Sequence, residues 1–160
     1  MDWLSESVVG KLVMHILRLN KLDKLYAKVY DDDPEAFLNR LIDVLGVSIE
    51  INEEDLKKIP AQGPFITVSN HPFGGLDGII LIKLLGKIRP DYKVMANFLL
   101  KKIEPIKEHI LGIEPVDGRG KVDKAAVMAA IRHVKDGYPL GLFPAGDVSV
   151  YRAESNHVED

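Results

Sequence analysis

The sequence predicts an α/β domain whose sheet is mainly parallel and flanked by helices, with a helical segment ahead of it. Two observations carry this. The short apolar runs GPFITVSN (63–70), YKVMAN (92–97) and YPLGLFPAG (138–146) are continuous rather than alternating, as expected for strands buried on both faces. Between them lie longer helical patterns, LDGIILIKLLGKI (76–88) and VDKAAVMAAIRHVKDG (122–137). The 160 residues suffice for one domain with a sizeable core, and the composition, 46% hydrophobic and 28% charged, is that of a globular chain.

The elements follow in order. Residues 6–30 read as one or two helices, because Val8, Val9, Leu12, Val13, Ile16, Leu17, Leu19, Leu22, Leu25 and Tyr26 recur at helical spacing. Lys11, Arg18, Lys21 and Lys24 are interspersed and Trp3 precedes them, a pattern that fits either an interfacial helix or one packed on its own domain. In DDDPEAFLNRLIDVLG, Asp33 reads as an N-cap, Pro34 as the first helical residue and Gly46 as the stop. VSIEI (47–51) alternates as a strand, and EEDLKKIP reads as a short helix ending before Pro60. FLLKKIEPI begins a helical stretch that Pro105 interrupts, and LGIEPVDGRGK (111–121) reads as a short strand and loop. The tail DVSVYRAESNHVED shows no clear element. Since doubly wound domains usually continue past a buried strand such as PLGLF, the chain reads as a fragment of a longer protein. The organisation expected is a helical segment over 1–45 and an α/β domain over 46–160, incomplete at its C-terminus.

Composition excludes some chemistry. A net charge of −3 gives no reason to expect a nucleic-acid partner. Without cysteine there is no disulfide, thiol nucleophile or cysteine-based zinc site, and the cytoplasm is the expected compartment. The histidines (15, 71, 109, 133, 157) fall at no ligand spacing, so no metal is expected, and all but His71 read as ordinary surface or core residues. Neither a phosphate-loop nor a dinucleotide-binding glycine pattern is present. No apolar run reaches the ~20 residues that span a bilayer, and MDWLSESVVG is not a signal peptide. Charge is uneven: residues 1–30 carry five Lys/Arg against three acids, residues 31–60 three against nine. Two faces with different partners, or two differently solvated surfaces, would both give this pattern.

SNHPFGGLDG (69–78) is the most informative stretch. His71 follows a buried strand, so it lies where open α/β sheets place ligands. Gly74 and Gly75 let the backbone bend, and Asp77 falls in the first turn of the next helix. From there Asp77 can accept the proton of one imidazole nitrogen and leave the other as a base. Asp is also favoured in a helical first turn for electrostatic reasons alone. FPAG (143–146) ends a second strand, and its Phe143, Pro144, Ala145 and Gly146 face the same crevice if the two strands are parallel neighbours. In VDGRGK, Arg119 and Lys121 beside two glycines suit either an anion site or a solvated turn. Ser69 shares a strand face with His71, though not on the sharp turn a serine nucleophile needs.

Three of these stretches, in order, resemble the motifs of the glycerolipid acyltransferases, the lysophosphatidic acid acyltransferase family. NHPFGGLD resembles the first, GIEPVDGR the second and FPAGDVS the third, over roughly residues 60–150. Five residues rather than four separate His71 from Asp77, Gly118 offsets Arg119, and Ala145 stands where the family has Glu, with Asp147 nearby. These departures resemble a bacterial haemolysin-like subgroup associated with O-acylation in amino-acid lipid synthesis. The resemblance implies direct acyl transfer from acyl-CoA or acyl carrier protein to the hydroxyl of a lyso-lipid or amino-acid lipid, with no cofactor beyond that donor. It implies His71 as general base, Asp77 as its orienting acid, and Asn70, Gly74, Gly75, Arg119, Phe143, Pro144, Ala145, Gly146 and Asp147 as substrate-binding positions. It also implies a protein peripheral to the inner face of the membrane. A Ser69–His71–Asp77 hydrolase and a non-catalytic lipid-binding module are the alternatives.

Overall fold

A computed structural model describes residues 19–114, 123–145, 150–152 and 157–159. The chain divides into two compact units, Met1–Val47 and Ser48–Asp160.

The described part of the first unit is a helix pair. Helix α1 (Leu19–Val29) leads into α2 (Pro34–Leu45). The Asp33 side chain accepts from the Ala36 N–H, Pro34 opens α2, and Gly46 closes it at φ +66°. The Val47 N–H bonds back to the Ile42 carbonyl, completing the stop. Val29, Phe37, Leu38, Leu41 and Ile42 are buried, and the Tyr26 ring meets Phe37 edge-on.

The second unit is an α/β domain. After the one-turn helix α3 (Glu53–Leu56) come β1 (Ile66–Val68), α4 (Gly75–Ile88), β2 (Lys93–Asn97), two 3-10 segments (Phe98–Lys102 and Glu104–His109), β3 (Ile110–Ile113), α5 (Lys124–Lys135) and β4 (Leu140–Leu142). The four strands form a sheet in the order β1-β4-β2-β3, every pair parallel. Strand β4 is thus inserted between β1 and β2. Val94 lies under Gly78 of α4, whereas its neighbour Met95 packs with Ala130 of α5. Successive strand residues point to opposite faces, so the two helices cover opposite faces of the sheet.

Two polar features lock the sheet. Tyr92 is fully buried, and its hydroxyl is 2.6 Å from Thr67 Oγ1. Burial raises its pKa above the usual phenol range. The phenol crosses β4 at Gly141, where any Cβ would collide with it. Arg89, only 4% exposed, grips both carboxylate oxygens of Asp91 at 2.9 and 2.6 Å and donates to the carbonyls of Pro60 and Gly63. It thereby ties the end of α4 to the loop that enters β1.

Three expectations need correction. VSIEI is not a strand: it pairs with no described strand, Val47 is spent closing α2, and Asn52 already caps α3. Alternation fits a strand only where a neighbour supplies the hydrogen bonds. FLLKKIEPI forms two 3-10 segments instead of a helix, the first capped by Asn97 and the second opened by Pro105. The tail carries a short antiparallel pair, β5 (Val150–Arg152) with β6 (His157–Glu159).

Candidate active site

The site begins where β1 ends. The Ser69 N–H donates to the Leu142 carbonyl, holding the chain beside β4 for one more residue. His71 follows, and the backbone then reverses at Gly74, whose φ of +63° and ψ of −129° are accessible at low cost only to glycine. Helix α4 starts immediately, and its first turn returns Asp77 to His71. Imidazole Nδ1 and carboxylate Oδ2 are 3.1 Å apart, both side chains being largely buried. The approach lies off the N–H axis, so Nδ1 has no aligned hydrogen-bond partner. Oδ2 meanwhile accepts the Phe73 N–H at 2.9 Å. Catalytic hydrogen bonds are often misaligned before substrate binds.

Strand order brings the second component in. Because β4 lies beside β1, the residue after β4 meets the residues after β1. The Phe143 ring stacks on the His71 imidazole with centroids 4.2 Å apart and planes at 28°. Gly78 lies beside this ring: a Cβ there would be in ordinary contact with Val94 and Phe143.

A cavity of about 670 Å³ opens beside the pair. His71, Gly74, Gly75, Phe143 and Pro144 line it, as do the buried Ile82, Ile106 and Ile110. One face of α4 contributes Gly75, Gly78, Ile79 and Ile82, the i, i+3, i+4, i+7 stripe of a helix. The lining is overwhelmingly apolar. Besides His71, only Asn97 and Glu114 bring polar side chains among the described residues. They stand at the C-terminal ends of β2 and β3, so all four strands deliver a lining residue at the same edge. Asn97 and Glu114 were not among the expected site residues, although their position after an apolar strand is the signal that singled out His71.

Other expected residues stand as follows. Asn70 and Ala145 are exposed and do not line the cavity. Ser69 is half-buried and does not line it either. Arg119, Lys121, Gly146 and Asp147 lie outside the described residues. The described ends of the second motif's loop are nonetheless joined. Asp123 caps α5 through the Ala126 N–H and accepts the Glu114 N–H at 3.2 Å. These two N–H bonds, the first foremost, hold its carboxyl below the usual range. His109 and His133 have structural roles, each with a ring nitrogen against a backbone carbonyl, of Tyr92 and Pro139. His15 lies outside the described residues, which contain no cluster suited to a metal ion.

Comparison with known proteins places the chain in a family. A family model described as Acyltransferase matches residues 6–156. A lyso-glycine lipid O-acyltransferase of Bacteroides thetaiotaomicron is 27% identical over 129 residues, covering 74% of this chain and 46% of the relative. A lyso-glycine lipid O-acyltransferase of Phocaeicola vulgatus is 28% identical over 153 residues, covering 95% of this chain and 52% of the relative. The chain thus spans about half the length of the curated relatives it matches. No solved structure matches it.

Proposed function

The chain belongs to the acyltransferase family, and from that premise we propose that it moves a fatty acyl group from a thioester to the hydroxyl of a lyso-amino-acid lipid. The observation that carries this reading is the 3.1 Å approach of Asp77 to His71 at the end of an apolar 670 Å³ cavity. That volume is of small-molecule-site size, and its lining suits a hydrocarbon chain.

In the proposed reaction Asp77 faces Nδ1, leaving Nε2 of His71 as the base. Nε2 takes the proton of the acceptor hydroxyl as its oxygen attacks the thioester carbonyl. The carbonyl oxygen gains negative charge, which the backbone amides at Gly74 and Gly75, at the start of α4 and in the cavity lining, would stabilise. When the tetrahedral intermediate collapses, the carbon–sulfur bond breaks. The departing thiolate takes the proton back from His71, so no net proton is released. Phe143 holds the imidazole plane throughout. A hydrolase using Ser69 is disfavoured because that side chain does not line the cavity.

The donor is acyl-CoA or acyl carrier protein, and the acceptor is an amphiphile. Among the described residues no helix is long and apolar enough to cross a membrane. In this reading the acceptor is reached at the surface of the inner membrane leaflet. Lys21, Lys24 and Lys28 are interspersed with Leu22 and Leu25 in α1, as a surface-lying helix requires.

The test is transfer of a labelled acyl group from thioester to lyso-glycine lipid. His71→Ala should reduce turnover about 10²–10⁴-fold with the fold retained. Unchanged turnover in that variant would overturn the assignment of the base.

A further inference from the structure

The polar side chains of the apolar cavity are not scattered. Apart from His71, the described ones are Asn97 and Glu114, and they stand on adjacent strand ends. Strands β2 and β3 are parallel neighbours, Asn97 is registered with Ile113, and Glu114 is the next residue. Both are exposed, so they belong to the rim of the cavity rather than to its floor. Each is fixed by its own surroundings. Asn97 Oδ1 accepts the Leu99 N–H at 2.9 Å, which leaves the NH2 of that amide as its unused end. The turn it caps lies close on β3: a Cβ at Gly112 would come within 3.0 Å of Phe98 Cα. The Glu114 N–H is taken by Asp123 Oδ2 at 3.2 Å, while the other oxygen of Asp123 caps α5. Among the described residues the Glu114 carboxylate itself has no ion pair or hydrogen bond.

An NH2 donor beside a carboxylate acceptor is complemented by a ligand group that can both accept and donate. A phosphate would accept from Asn97 but would set two anions together at Glu114. An ammonium would donate to Glu114 but offers Asn97 nothing to donate to. A secondary amide supplies a carbonyl for one and an N–H for the other. The apolar walls sharpen the requirement. A lipid that fills the cavity strips water from its rim, and a carboxylate desolvated without a donor is costly.

We propose that Asn97 and Glu114 bind the amide group of an acceptor whose hydroxyl lies at His71, and so select amide-linked lyso-lipids over ester-linked ones. One acceptor can engage both ends. With β4 between them, β1 and β2 lie two strand spacings apart, ~10 Å at about 4.8 Å each. His71 and Asn97 both line the cavity, so their side chains narrow that gap. In a β-hydroxyacyl amide four bonds separate the hydroxyl oxygen from the amide nitrogen, ~5 Å at ordinary bond lengths. Asp123 is then a positioning residue, holding the backbone of Glu114 against the start of α5. The place of the hydroxyl rests on the acyl-transfer reading; the recognition of the amide does not.

Calorimetric titration with two neutral probes tests the pair without any thioester. The probes are β-hydroxydecanoyl N-methylamide and methyl β-hydroxydecanoate, which differ only in N–H against O. The wild type should bind the amide about ten- to a hundredfold more tightly. Glu114→Leu should bring the two affinities within about twofold of each other, and Glu114→Gln, which keeps an accepting oxygen, should retain part of the preference. Asn97→Asp keeps the oxygen that caps the turn and loses the NH2. It should weaken both probes alike, since both carry the carbonyl. Circular dichroism establishes that each variant is folded. Equal binding of the two probes by the wild type, or a preference that survives in Glu114→Leu, overturns the proposal. Tighter binding of an alkylammonium of the same chain length overturns the amide assignment. Amide-selective binding without acyl transfer to either probe would sustain the pair and remove the acyl-transfer reading. Transfer to both probes with equal affinities would do the reverse.

Discussion

The Phe143 ring lies nearly flat on the His71 imidazole, 4.2 Å away, so the first and third sequence motifs meet through a ring stack. A stacked pair contributes about 0.5–1.5 kcal/mol beyond area burial. In the proposed reaction the stack would fix the plane in which His71 receives a proton. Phe143→Ala should therefore lower kcat about three- to tenfold, with a smaller change in KM for the acceptor. Phe143→Tyr, which keeps the ring, should restore most of it. Equal effects of Ala and Tyr on steady-state rates would count against the stack as the orienting element.

Asp77 has two duties that one substitution separates. Its Oδ2 accepts the Phe73 N–H and faces His71 Nδ1. Asp77→Asn keeps a carbonyl oxygen for the Phe73 amide but removes the negative charge that steadies an imidazolium. Thermal unfolding should be nearly unchanged while acyl transfer falls by about two orders of magnitude or more. A large loss of melting temperature with a proportionate loss of rate would make Asp77 a structural residue only.

Much of this site was readable because it obeys local rules. His71 follows an apolar run, Gly74 needs positive φ, and Asp77 falls one helical turn on. The caps of α2 were legible for the same reason: Asp33, Pro34 and Gly46 act within a few residues of themselves. The stack on Phe143 was not legible, since it depends on β4 being inserted between β1 and β2, an ordering no local pattern encodes. VSIEI misled because alternation is a property of one segment and pairing a property of two. Arg89 gave no signal either: a lone arginine after an apolar helix looks solvated until the carbonyls of Pro60 and Gly63 arrive to meet it.

Gly141 and Tyr92 should behave as a coupled pair. A Cβ at Gly141 would meet the Tyr92 hydroxyl, which is itself fixed by Thr67. Gly141→Ala is expected to cost about 1–3 kcal/mol in denaturant unfolding through overpacking. Tyr92→Phe frees the space but loses the bond to Thr67. The double variant should be more stable than the sum of the two single losses predicts. Strict additivity would mean that the collision is relieved elsewhere.

The Arg89–Asp91 pair sets a pH dependence whose sign is fixed. Hydrogen bonds from Arg89, and then its charge, hold the Asp91 carboxyl below its usual range. A carboxyl depressed in the folded state adds stability that is fully present above its unfolded pKa, about 3.9, and lost as pH falls through the folded value. Asp91→Asn should therefore lower the melting temperature at pH 7, and the difference from wild type should shrink below about pH 4. Arg89→Met should cost more, about 2–4 kcal/mol, because the carbonyls of Pro60 and Gly63 lose their donor as well and Asp91 loses its partner. A difference for Asp91→Asn that grows toward low pH would reverse the linkage argued here.

Acyl-chain length should be read out along α4. Gly75 and Gly78 line the cavity nearest His71, and Ile79 and Ile82 line it further on. From Gly75 to Ile82 the helix rises ~10 Å, the path a hydrocarbon chain would follow away from the thioester. In the proposed reaction, small residues near the reacting carbon would leave room for the chain and the branched ones beyond would limit its extent. Ile79→Phe should shift preference toward shorter thioesters in a competition assay, at the cost of the overpacking a larger ring brings. Ile82→Ala should shift it toward longer ones. That variant removes a buried side chain and should lose about 2–4 kcal/mol, so the comparison belongs at a temperature where it remains folded. If neither substitution changes the length preference while both change the overall rate, the acyl chain does not run along α4, and the cavity serves the acceptor lipid instead.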